Sequence, residues 1–72
     1  MHPVEVFKTN VARVSQAHAL AQLLTQQLPG CKISFDLDDC DRILRVEGNG
    51  CPPELVIELV QENGFFCQVL EE

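Results

Sequence analysis

Basic residues are scarce in this sequence. There are five, Lys8, Arg13, Lys32, Arg42 and Arg45, against eleven acidic ones, for a formal charge of −6. They are scattered, which argues against nucleic acid and anionic membranes as partners, because phosphate binding needs grouped Lys and Arg. The balance also disfavours an acidic partner surface and suits a basic partner or a cation. No apolar run approaches the length of a membrane span; LVIELV is short and carries Glu58. A signal peptide is not expected, since MHPVEVFK has neither a basic n-region nor an apolar h-region, and this places the chain in the cytoplasm. None of the four cysteines, Cys31, Cys40, Cys51 and Cys67, stands in a C-x-x-C pair, which excludes a thioredoxin-like motif and a zinc knuckle. In a cytoplasmic protein they are expected as reduced thiols. A Gly-rich phosphate loop, a Ser–His–Asp arrangement and paired buried carboxylates are also missing, so neither catalysis nor a cofactor is expected.

What is present describes one small domain over residues 1–72. Its composition, 46% hydrophobic and 22% charged, is that of a globular chain. A chain of this length buries only about 60% of its unfolded surface, so most apolar residues must be core. VEVFKTNV reads as a strand with two apolar phases, Val4 and Val6 against Phe7 and Val11. Ser15 is the expected N-cap of a helix over 16–28, whose stripe is Ala17, Leu20, Leu24 and Leu28. His18, Gln22 and Thr25 point away from that stripe, and Pro29-Gly30 stops the helix. CKISFDLDD alternates cleanly, and RILRVEG follows as its hairpin partner. A second helix over 53–63 opens on Pro53 and closes on Asn63-Gly64, with Leu55, Val56, Leu59 and Val60 inward. FFCQVL is the last strand, with Phe65, Cys67 and Val69 as its apolar phase.

The order βαββαβ repeats one βαβ unit. Right-handed crossovers then predict an α+β, ferredoxin-like domain: a four-stranded antiparallel sheet in the order 4-1-3-2, with both helices on one face. In that topology the loop 10–15, the turn 38–41 and the corner 63–66 share one end of the molecule. Cys31, the loop around Cys51 and the N-terminus share the other.

At these residues the chain resembles the heavy-metal-associated domain family, the fold of copper chaperones and metal-ATPase N-terminal modules. In that family the first strand ends in an apolar residue followed by x-C-x-x-C. With Val11 in the apolar place, the two ligand positions fall on Arg13 and Gln16, and the helix positions that follow fall on Leu20, Leu23 and Leu24. LPGC and ENGFFC are similar to the family's LPGV and KAGY segments. The resemblance covers nearly the whole chain and implies the fold. The family's activity rests on a soft thiolate pair that selects Cu(I) or Zn(II). Arg13 has no lone pair for a metal, and Gln16 is a poor ligand for a soft one. No metal is therefore expected at the family site.

Other groupings remain. DLDDCD places Asp36, Asp38, Asp39 and Asp41 around Cys40 at a hairpin tip; strand alternation sends successive side chains to opposite faces, so the reading is a solvated turn. Cys31 and Cys51, with His2, gather at the end opposite the family loop and form an alternative soft-ligand set. Ile43 lies in the phase opposite Leu44 and Val46, so an apolar patch is expected on the open face of the sheet, with Arg45 as a polar contact. On that reading Ile43→Lys changes stability by no more than about 0.5 kcal/mol. The function expected is a non-enzymatic interaction module. Its partner is a protein or a second copy, met through Arg13, Ile43 and Arg45. The alternative is a copper or zinc carrier using Cys31, Cys51, Cys40, Asp39 and Asp41.

Overall fold

The computed structural model describes residues 4–38 and 42–70. Its elements are β1 (Val4–Thr9), α1 (Val14–Gln27), β2 (Lys32–Asp36), β3 (Ile43–Glu47), α2 (Pro53–Glu62) and β4 (Cys67–Val69). The strands form one antiparallel sheet in the order β2-β3-β1-β4, which reads 4-1-3-2 from the β4 edge.

Register decides the faces, because directly opposed residues of an antiparallel pair point the same way. Phe35, Leu44, Phe7 and Val69 form one row; Ile33, Val46 and Glu5 lie beside it on one side, and Thr9 with Cys67 on the other. Phe7, Leu44, Val46 and Cys67 are buried in a single cluster with Leu24 and Leu28 from the α1 side and Val56 and Val60 of α2. Both helices therefore cover this face. The ambiguity in β1 is thereby resolved: Phe7 and Thr9 point inward, and Val4 and Val6 point to the open face.

Helix α1 begins earlier than Ser15 would place it. Its N-cap is Arg13, and Ser15 lies inside the first turn. The cause is Gln16, the third helical residue, whose Oε1 accepts the Arg13 N–H at 3.2 Å and the Ala12 N–H at 3.4 Å. That is the reciprocal half of a capping box, and it satisfies N–H groups that a serine two positions later cannot reach. The stripe Ala17, Leu20, Leu24 and Leu28 is buried as its spacing predicts. Helix α2 closes with a Schellman motif: the Gly64 N–H donates to Gln61 O at 2.9 Å and the Phe65 N–H to Val60 O at 3.3 Å. Gly64 has φ +87°, a left-handed value that glycine adopts without penalty. The cap turns the chain sharply into β4.

Candidate functional site

Three loops meet at the end of the molecule where β1 passes into α1. Thr9 closes β1 facing the core, and its buried hydroxyl works in two directions. It donates to Arg42 O at 2.7 Å and accepts the Val11 N–H at 3.2 Å. Asn10 Oδ1 accepts the Phe66 N–H at 2.8 Å, tying the same loop to the corner after α2. Arg42, with φ +49°, donates from a guanidinium nitrogen to Leu37 O at 2.9 Å and holds the base of the β2–β3 turn. Beneath the loop, Val11 is fully buried with Ala17 and Leu20, against Phe35, Leu37 and Phe65. The backbone from Thr9 to Gln16 is thus pinned from below by packing and from both sides by hydrogen bonds.

On top of this frame Arg13 is exposed, and Gln16 is half-buried with its oxygen committed to the helix cap. Val14 is 78% exposed and Phe66 46% exposed, two apolar side chains at one rigid loop end. Beside them a depression of about 190 Å³ is lined by Gln16, Ala19, Leu20, Asn63 and Phe65. Arginine and large apolar side chains are the residue types enriched at interface cores. Sequence reasoning names Arg13, and Phe66 as an outward apolar residue opposite Phe65, but misses Val14. The position of Val14, just before the apolar stripe of α1, is the signal that could have found it.

At the opposite end Cys31 and Cys51 come together as their topology predicts, but they are not thiols. They form a disulfide, with Cα atoms 6.3 Å apart across 20 residues. The expectation of four reduced cysteines is corrected for this pair, and so is its reading as a metal-ligand set, because bonded sulfurs have no thiolate to offer. The physical reason is Gly48. Its missing Cβ would lie 2.9 Å from Gly30 O and 3.5 Å from Cys51 Sγ, so only a glycine lets the two loops approach this closely. Cys67 is a free, buried cysteine, and burial pushes its thiol up from the usual 9.0 to about 11, leaving it neutral and inert.

The aspartate hairpin yields less. Asp36 and Asp38 are exposed, and Asp36 Oδ1 accepts the Asp38 N–H at 3.2 Å. Asp39, Cys40 and Asp41, like His2, lie outside the described residues. Among the described residues, no three His, Cys, Asp or Glu side chains are grouped to hold a metal ion. His18 stands on the exposed face of α1, where the Gln22 side-chain amide donates to its Nε2 at 3.2 Å.

The open face of the sheet needs a correction. Ile43 lies on it, in a row with Asp36, Lys8 and Gln68, yet it is only 6% exposed. Ile43 lies on a central strand with Lys8 and Asp36 directly opposite it on either side, so alternation alone does not expose it. The exposed apolar residues of this face are instead Val4 and Leu70, with Val6 half-buried; Leu70 extends β4 by donating its N–H to Val6 O at 2.8 Å. Arg45 is exposed beside Val6, as expected. Replacing Ile43 with Lys is accordingly expected to cost about 1–3 kcal/mol, in the range for disturbing a buried apolar site. Urea unfolding checks this; a change below about 0.5 kcal/mol returns Ile43 to the surface class.

No protein-family profile matches the chain, and no curated protein matches it. Among solved structures, the N-terminal domain of PacS from Synechocystis PCC6803 is similar, with a TM-score of 0.66 over 96% of this chain and 98% of that one, at 14% identity. The likeness is one of fold.

Proposed function

We propose that this chain is a non-enzymatic protein-interaction module on a heavy-metal-associated-like scaffold, in which the first loop contacts a partner instead of chelating a metal. The observation that carries this is the Gln16 side chain, whose oxygen takes the N–H groups of Ala12 and Arg13. Arg13 and Gln16 stand at the two positions where that family places its cysteines. An amide engaged in a helix cap and a guanidinium supply no thiolate. What they do supply is rigidity and a positive charge, set beside Val14 and Phe66. The fold shared with the PacS N-terminal domain supports the scaffold half of the reading. No helix among the described residues is long and apolar enough to cross a membrane, and the partner we propose is a protein that meets Arg13 together with Val14 and Phe66.

A photo-crosslinking residue placed at Val14 tests the surface, with Gln26 on the exposed far part of α1 as the control. Protein crosslinks at position 14 and none at 26 are expected. Equal labelling at both positions means the loop end is not a preferred surface. Native mass spectrometry of the untagged chain adds the metal arm: a mass without metal is expected. A stoichiometric copper or zinc ion would favour a carrier using Cys40, Asp39 and Asp41.

A further inference from the structure

The two sulfurs of the Cys31–Cys51 bond are not equally placed. Cys31 is 7% exposed and belongs to the main core cluster. Gly48 lies against both residues, since a Cβ there would lie 3.4 Å from Cys31 Cα and 3.5 Å from Cys51 Sγ. Cys51 is half-buried, in the loop that leads into α2. Thiol–disulfide exchange needs a thiolate to reach one sulfur from the side opposite its bonded partner. Cys31 is buried and leaves such a thiolate almost no surface, whereas Cys51 is only partly covered.

We propose that this disulfide is a thiol-exchange site of the folded protein, at which a low-molecular-weight thiol attacks Cys51. The thiol loses its proton to solvent and its thiolate bonds to Cys51 Sγ. The Cys31–Cys51 bond breaks, and Cys31 leaves as a thiolate that takes up a proton. A second thiolate attacks the outer sulfur of the mixed disulfide and releases Cys51. Two thiols become one disulfide, and the protein gains two electrons and two protons.

The bond ties the start of β2 to the entrance of α2. That entrance has no side-chain cap, since its N-cap is Pro52; the Leu55 and Val56 N–H groups donate to Pro52 O at 3.2 and 3.3 Å, and the disulfide adds a covalent tie beside them. Opening the bond frees the first turn of α2 while β1 and β3, the central strands, stay paired. The exchange site is therefore also a redox-set control on the order of one helix end. It is independent of the loop at Arg13, which lies at the other end of the fold.

The test uses the unaltered full chain in mixtures of reduced and oxidised glutathione without denaturant, quenched in acid, alkylated and mapped by peptide mass. Glutathione is expected on Cys51 at least tenfold more often than on Cys31, while the far-ultraviolet circular dichroism of the fold persists. On reduction, amide hydrogen exchange should rise more in the first turn of α2 than in β1 and β3, whose amides speed up only with the loss of global stability. Cys31→Ser should accumulate the mixed disulfide on Cys51, because the thiol that would resolve it is gone. Modification shared equally by both cysteines overturns the proposal. So does reduction that occurs only where denaturant has already unfolded the chain.

Discussion

The double variant Cys31→Ser, Cys51→Ser is expected to be less stable than the oxidised chain by about 3 kcal/mol, the loop-closure entropy of a bond spanning 20 residues. For a domain of 72 residues this is a large fraction of the total, since a single core of this size supplies only about 3–5 kcal/mol. Most of the effect acts on the unfolded chain, whose β2–β3 hairpin is held closed by the bond before any strand forms. With a urea m-value of about 1 kcal/mol/M for so small a protein, the midpoint should fall by about 2–3 M. An unchanged midpoint would mean that the bond does not constrain the unfolded chain and that the packing of Phe7, Leu24, Leu44 and Val56 carries the fold unaided.

The second large effect is a gain. Arg13→Cys with Gln16→Cys should create a soft-metal site where none is expected now. Positions 13 and 16 are the N-cap and third residue of α1, close enough across the first turn for the Gln16 side chain already to reach the Arg13 backbone. Thiols at a helix N-terminus have depressed pKa values, so both are partly thiolate at neutral pH, the form that binds Cu(I). The loop needs no reorganisation, because Thr9, Asn10 and Val11 hold it from beneath and beside. Removing the Gln16 cap should cost about 1 kcal/mol, which leaves the variant folded. One Cu(I) per chain is expected, displaced by a competing chelator, with each single variant binding far more weakly. A folded double variant that binds no Cu(I) would show that the loop's geometry, and not only its residue types, is unsuited to metal.

How much of this is legible in the sequence differs from residue to residue. The stripe of α1 is readable because Ala17, Leu20, Leu24 and Leu28 recur at one period with polar residues between them, and burial follows period. The hairpin is readable for the same reason in β2. The inward face of β1 is not, because Val4 and Val6 are as apolar as Phe7; only the pairing of Phe7 with Leu44 and Val69 decides it. Ile43 misleads because alternation assigns a face but not an exposure, and a central strand can bury a small apolar residue under its neighbours on either face. The start of α1 is misplaced from sequence because serine is the commoner N-cap, whereas here a side chain three residues inside the helix reaches back. The disulfide is invisible because the redox state of a cysteine depends on what lies beside it in space. The nearness of Cys31 and Cys51 is legible from the topology; the bond is not, because a cytoplasmic chain is expected to hold reduced thiols and the close approach at Gly48 is seen only in the structure.

At the loop itself, residue type is the informative signal. The resemblance to the heavy-metal-associated family is what implies that Arg13 and Gln16 stand at its ligand positions. The structure adds that Gln16 caps the helix and that Arg13 stands in solvent beside Val14. The most direct measurement is a Cu(I) titration of the unaltered, oxidised chain followed by backbone amide shifts. The expected result is that residues 10–16 do not move as Cu(I) is added. Large, saturable shifts confined to residues 10–16 would contradict it, and would make this loop a metal site despite Arg13 and Gln16.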